Sequence, residues 1–167
     1  MNNSLSNMLT GIADTATVLF ITGAPNERYN LTIIPVGFKQ FESEINAVRI
    51  GNIVTAIDSD AFYYCENMVS AIISNRVTNI GSGSFAYSGL TSITIPEGVT
   101  SVSNYVFQGC FNLNEMNCFV TRTIINQANV LDGTVFPFTI NARASDATWT
   151  VGPDVIGGQT VTVVKNL

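Results

Sequence analysis

The chain has no histidine. That absence removes the Ser-His-Asp and Cys-His arrangements of nucleophilic catalysis and nearly all zinc sites. Charge is scarce as well. Only 11% of the 167 residues are Asp, Glu, Lys or Arg, the net charge is −5, and the seven basic residues stand singly from Arg28 to Lys165. Nucleic-acid binding needs clustered Lys and Arg to displace counterions, and no such stripe exists. No stretch approaches the length of a membrane span, which argues against membrane insertion. Residues 1–12 lack the basic start of a secretory leader, and the nearest apolar run, Ala16–Ala24, is short and broken by Thr17, Thr22 and Gly23. Cysteine is limited to Cys65, Cys110 and Cys118, an odd number that cannot form a closed disulfide framework.

The remaining polar groups select no chemistry. Asp58 and Asp60 could hold a hard cation, but Ala61-Phe62 follows them and not a glycine-turned loop ending in a bidentate glutamate. Gly81-Ser82-Gly83-Ser84 lacks the lysine and the strand–loop–helix frame of a phosphate motif. Glu97, Glu115 and Asp132 are formal candidates for the paired carboxylates of glycoside hydrolysis, and no feature picks two of them. The chain reads as non-enzymatic, without cofactor or metal.

What the chain has is repetition. Its apolar fraction of 46%, with many Asn, Ser and Thr, excludes a disordered polymer and fits one domain with a sizeable core. From Ile45 to Asn112 three lines fall into register. Each has an apolar strand (Val48 and Ile50, Ala71 and Ile73, Ile93 and Ile95), then a Val-Thr step (Val54-Thr55, Val77-Thr78, Val99-Thr100), then a phenylalanine. The phenylalanines Phe62, Phe85 and Phe107 stand 23 and 22 residues apart. A fixed period in the twenties is the mark of a solenoid, in which each coil is one unit stacked on its neighbours. Ile93-Thr94-Ile95 and Val99–Val102 are β-branched runs bounded by Pro96-Glu97-Gly98 and Ser103-Asn104, so each coil carries short strands joined by turns. One coil cannot bury its own apolar edge. Ile must therefore stack on Ile and Phe on Phe, with parallel strands about 4.8 Å apart.

The segment Leu90–Cys110, together with the one-residue-shorter corner Phe85-Ala86-Tyr87-Ser88-Gly89-Leu90, resembles the consensus of the BspA-type leucine-rich repeats. The resemblance is strong from Ile45 to about Met116. It implies a right-handed solenoid with a ladder of short parallel strands, in a family of surface adhesins, parasite proteins and phage proteins, and no catalytic residues in the motif. The fold expected is a β-rich leucine-rich repeat solenoid of about four coils of 22–23 residues, capped at both ends. Residues 1–44 read as an N-terminal cap, 45–141 as the repeats with an irregular last coil, and 142–167 as a C-terminal β cap.

In the N-terminal part, Leu5, Met8, Leu9 and Ile12 lie on one face of a short helix, which either covers the first coil or docks on a neighbouring subunit. Ala16–Thr22 and Tyr29–Ile34 read as two strands of a hairpin around Gly23–Asn26. Leu31-Thr32-Ile33-Ile34-Pro35 faintly echoes the repeat's Ile-Thr-Ile-Pro, although the spacing onward to Phe38 and Phe41 does not fit. At the other end, Arg122–Val130 replaces the Val-Thr step and Gly133–Phe138 replaces the corner. A strand follows at Phe138–Ala142, and a second is expected at Ala147–Val151 around Trp149, the only tryptophan. Gly152-Pro153-Asp154 reads as a turn. Gln159–Val164 reads as a final strand, with Val161 and Val163, that is either a lid or an edge open to another chain.

Alternation sets out the candidate surfaces. If Val48, Ile50, Ile93 and Ile95 point inward, the solvent face carries two ladders: Ala47, Ser70, Ser92 and Glu115, and beside them Arg49, Ile72, Thr94 and Asn117. The corner residues Tyr63, Tyr64, Tyr87 and Phe111 form the richer candidate patch, since aromatics dominate interfaces, with packing between corners as the competing reading. Cys65 and Cys110 share one motif position two coils apart, about 10 Å by strand spacing and beyond disulfide reach. All three cysteines read as small core residues. Surface members of the family carry leaders, so a short chain without one and with unpaired cysteines points to assembly inside a virion. The partners expected are capsid or tail subunits of a phage, with a homo-oligomer possible. The alternative is a bacterial surface or secreted adhesin that meets a host protein and whose leader has been removed.

Overall fold

The computed structural model describes residues 18–21, 33–34, 45–127, 129–134 and 137–166. The strands are β1 Val18–Ile21, β2 Ile33–Ile34, β3 Ala47–Ile50, β4 Ala56–Ile57, β5 Ser70–Ile72, β6 Asn79–Ile80, β7 Ser92–Ile95, β8 Ser101–Val102, β9 Glu115–Cys118, β10 Thr139–Ala142, β11 Gly152–Ile156 and β12 Gln159–Lys165. One helical turn, α1 (Arg122–Ile125), lies between β9 and β10. Three sheets result, in the orders β1-β3-β5, β2-β4-β6-β8 and β7-β9-β10-β12-β11. Every pairing is parallel except that of β11 with β12. The first and third sheets line the same side of the coils and are bridged where Thr91 N–H donates to Val69 C=O at 3.3 Å. This is the expected solenoid.

The register follows the repeat residue by residue. Val48 pairs with Ala71 and Ile93 with Met116. Ile57 pairs with Ile80, and Ile80 with Val102. The inward set is buried throughout, and each Ile or Val withdrawn from water contributes roughly 1.5–3 kcal/mol. Phe62, Phe85 and Phe107 form a column of near-parallel rings, with centroids 5.3 and 5.8 Å apart and interplanar angles of 18° and 16°. The next coil puts Leu131, also fully buried, two residues after the corner's first left-handed position, as each phenylalanine stands in its own coil.

The corners are hydrogen-bonded from coil to coil. Phe62 N–H donates to Ser84 C=O (2.7 Å), Phe85 N–H to Val106 C=O (3.0 Å) and Phe107 N–H to Val130 C=O (3.0 Å). Each corner turns through two left-handed residues four apart. The first position is held by Asp60, Gly83, Tyr105 and Asn129, the second by Tyr64, Tyr87, Gly109 and Gly133.

Several details depart from the sequence reading. The hairpin expected of residues 16–34 is not formed, because β1 pairs in parallel with β3 and β2 in parallel with β4. These two strands open one coil more than the four expected. Ile33 pairs with Ala56 and Ile34 with Ile57, so Ile33-Ile34 is the counterpart of Ala56-Ile57 and not of the Ile-Thr-Ile-Pro strand. The last coil keeps its corner at Asn129–Gly133, ahead of Gly133–Phe138, since Phe107 and Gly109 both need a carbonyl partner there. The turn α1 takes the place of the second strand and buries Ile125. The segment around Trp149 is a loop whose indole N–H donates to Val120 C=O at 3.0 Å. The strand lies instead at Gly152–Ile156, where a turn was expected. Pro153 is tolerated because β11 is the edge of its sheet. The helix expected at Leu5–Ile12 falls outside the described residues.

Candidate interaction surface

The two outward ladders are adjacent as alternation requires. Ala47 pairs with Ser70, Arg49 with Ile72, Ser92 with Glu115 and Thr94 with Asn117. The C-terminal half of the second ladder is satisfied within the strand face. The Asn117 amide donates to Thr94 Oγ1 (3.5 Å), and the Asn141 amide donates to Asn117 Oδ1 (2.9 Å) and Glu115 Oε1 (2.6 Å). Asn141, one coil further on in the same column, escaped the sequence reading because it lies beyond the regular repeats. Arg49 is exposed and Ile72 is 56% exposed.

The corner is different. Tyr63 and Tyr64 meet edge to face at 4.7 Å, Tyr63 and Tyr87 at 5.6 Å, and Tyr87 and Phe111 at 6.3 Å. Tyr64 and Tyr87 stack at 4.8 Å and 16°, one coil spacing apart. The four aromatics thus pack on one another and still face solvent, with Phe111 63% exposed. Beside them lies a groove of about 650 Å³ lined in part by Tyr64, Glu66, Asn67, Tyr87, Phe111 and Asn112. Partial burial, then the neighbouring hydroxyls of Tyr64 and Tyr87 and the carboxylate of Asp60, push the Tyr63 phenol above its ordinary range.

The backbone explains how the rings reach this position. Tyr64 and Tyr87 occupy the second left-handed site of their corners, with φ of 62° and 57°. A bulky residue there costs about 1–3 kcal/mol. The next corner has Gly109 at this site, and a Cβ there would lie 2.4 Å from the Tyr87 ring. Glycine therefore leaves the space over which Tyr87 lies. The sequence reading named the four aromatics but missed the left-handed geometry, whose one signal was that Tyr64 and Tyr87 align with Gly109.

The other expected residues divide clearly. Val161 and Val163 are 2% and 0% exposed, so their side chains are spent closing the core and cannot dock on a partner. The strand β12 is no open edge either, since it lies between β10 and β11. Leu5, Met8, Leu9 and Ile12 lie outside the described residues. Cys65, Cys110 and Cys118 are buried. The Cys110 thiol donates to Phe85 C=O at 3.1 Å and lies 3.4 Å from Ser88 Oγ. Burial raises its pKa, and burial pushes that of Cys118 up to about 12. The three carboxylates considered for glycoside hydrolysis each meet a separate partner: Glu97 pairs with Arg143, Glu115 accepts from Asn141 and Asp132 accepts from Gln108 at 3.2 Å. Among the described residues no group of three or more His, Cys, Asp or Glu could hold a metal ion, and no helix is long and apolar enough to cross a membrane.

A family model described as a BspA-type leucine-rich repeat region matches residues 32–134, in six copies. The chain belongs to the BspA-type leucine-rich repeat family. The match begins at β2, in agreement with the pairing of that strand, and ends at the last corner. No curated protein and no solved structure matches the chain. Repeats of this kind form extended scaffolds suited to protein binding, and the site that stands out on this one is the aromatic corner.

Proposed function

We propose that the chain is a non-enzymatic protein-binding module of a phage virion, a capsid decoration or tail-associated protein, that docks through Tyr63, Tyr64, Tyr87 and Phe111. One observation carries the choice of surface: four aromatics cluster beside a groove, whereas on the strand face Thr94, Asn117 and Asn141 bond to one another. Aromatic side chains in such a cluster contribute most of the binding energy at protein interfaces. The charged residues of the described corners are Asp58, Asp60, Glu66 and Asp132, all acidic. The partner segment that fits is therefore one presenting Arg or Lys beside apolar side chains, whose cation can rest on a tyrosine face. Three buried, unpaired thiols support the virion setting, since they are compatible with a reducing assembly site.

The test places a photo-crosslinking amino acid at Phe111 and, in a second variant, at Ile72, in a host producing the particles. The expected result is protein recovered in purified particles, crosslinked to one capsid or tail subunit from position 111. Recovery on the bacterial surface would turn the reading to an adhesin that meets a host protein. Crosslinks from position 72 alone would move the interface to the strand face.

A further inference from the structure

Among the described residues the third sheet ends at β11, and the manner of its ending is specific. The loop Gly157-Gly158 has φ of 55° and 87°, the two left-handed residues of a tight hairpin turn, so Ile156 and Gln159 close the hairpin as a hydrogen-bonded pair. Antiparallel pairs alternate from there. Ile156, Asp154 and Gly152 direct their backbone groups to β12, and Val155 and Pro153 direct theirs to the open side.

On that side little is left to pair. Pro153 has no N–H. The N–H of Val155 donates to Oδ1 of Asp154 at 2.7 Å, and its carbonyl accepts from Nη2 of Arg122 at 3.1 Å. Arg122 is held there by a two-pronged ion pair, Nε to Asp154 Oδ2 and Nη2 to Asp154 Oδ1, both 2.7 Å. The side chains, by contrast, suit association: Val155 is 53% exposed and Val151, the residue before β11, 65%. An apolar edge strand of this kind is a template for a second copy.

We infer that Arg122, Asp154 and Pro153 form a lock that closes the β11 edge to strand addition by a second copy of this chain. Arg122 comes from the turn that replaces the second strand of the last coil, so this irregular coil supplies the bolt for the terminal hairpin. The inference rests on no residue of the aromatic corner.

The test uses the full chain and three variants, Arg122→Ala, Pro153→Val and the two combined, with solution mass by light scattering over a wide concentration range and amide exchange at Val155. The wild type is expected to show no association through β11. The double variant is expected to dimerise at least about tenfold more tightly than the wild type, with its Val155 amide becoming protected in the dimer. Adding Val155→Lys to the double variant should return it to monomer. A double variant that keeps the wild-type circular dichroism and thermal transition but stays monomeric would overturn the inference. A wild type that already pairs through Val155 would do the same. If the double variant fails to fold, the single Pro153→Val variant, which leaves the ion pair intact, decides by the same readouts.

Discussion

Phe85 and Phe111 allow the architecture and the interface to be separated by one kind of substitution. Phe85 is fully buried between Phe62 and Phe107, whereas Phe111 projects from the corner and is 63% exposed. Truncating a buried phenylalanine to alanine costs roughly 3–5 kcal/mol, transfer and cavity together. Phe85→Ala should sit at the upper end, because it removes two stacking contacts worth about 0.5–1.5 kcal/mol each. A cooperative domain has about 5–15 kcal/mol in total, so this one change removes a large part of it. Phe85 also sits in a central coil. Solenoid stability is a sum of coil and nearest-neighbour terms, so the lesion weakens the interface on both sides at once. Phe111→Ala should change stability by less than about 0.5 kcal/mol, as surface substitutions do, while abolishing partner capture. Urea unfolding followed by circular dichroism reads the first quantity and pull-down against particle proteins the second. If Phe85→Ala cost under about 1 kcal/mol, or no more than Phe111→Ala, the phenylalanine column could not be what holds the coils together.

Other perturbations test separate parts of the reasoning. The Ser84 hydroxyl is buried with no hydrogen-bond partner among the described residues, at the position held by Ala61 and Val106 in the adjoining coils, so Ser84→Ala should raise stability by about 1 kcal/mol and the melting temperature by about 2–4 °C. Hydrogen bonding to Arg122 lowers the pKa of Asp154 below its ordinary value. A carboxylate depressed in the folded state adds stability that is complete above its unfolded pKa and is lost as the pH falls through the folded one. Acid titration below about pH 4 should therefore erase the difference between wild type and Asp154→Asn, a difference held to no more than about 1 kcal/mol by solvent screening. The Cys110 and Cys118 thiols, raised by burial, should resist alkylation at pH 8 in the native protein and react on unfolding, which thiol counting with and without urea would show. Partner capture through the corner should weaken as salt is raised, since its charged residues are acidic; an unchanged affinity would remove the basic segment from the proposal.

The parts of the fold legible in the sequence are those that each coil states for itself. Val48, Ala71 and Ile93 could be placed on neighbouring strands because the same local pattern recurs at a fixed step, and stacking then dictates the register. The ends were less legible, for a physical reason. A terminal coil has a neighbour on one side only, so its sequence is freed from the consensus on the other. Leu31-Thr32-Ile33-Ile34 keeps the Val-Thr step 23 residues before Val54, yet the lack of a matching phenylalanine concealed it. The C-terminal hairpin was misplaced because Gly152-Pro153-Asp154 has the composition of a turn. That segment is a strand because it pairs with β12 across Gly157-Gly158, and it is braced by Arg122, 32 residues away from Asp154, which no local pattern reports.

The corner shows where local preference and function part company. At the second left-handed site the last two corners use Gly109 and Gly133, which adopt that conformation without strain, and the earlier two use Tyr64 and Tyr87, which do not. Were the corner only a turn, glycine throughout would be the more stable choice by about 1–3 kcal/mol at each tyrosine. The four ring contacts of the cluster, at about 0.5–1.5 kcal/mol each, recover a sum of the same size. Two tyrosines at left-handed sites therefore bring the coil no clear gain over glycine. A local rule broken without net gain to the fold is the expected sign of a site kept for what it binds. At the second site the strain falls on Tyr64 and Tyr87, two of the three rings that line the groove, while Tyr105 is left-handed at the first site of its corner and outside the lining. Replacing both with glycine should leave the coils intact or more stable and the partner unbound, and it is this opposition of signs that a purely structural role for the tyrosines could not produce.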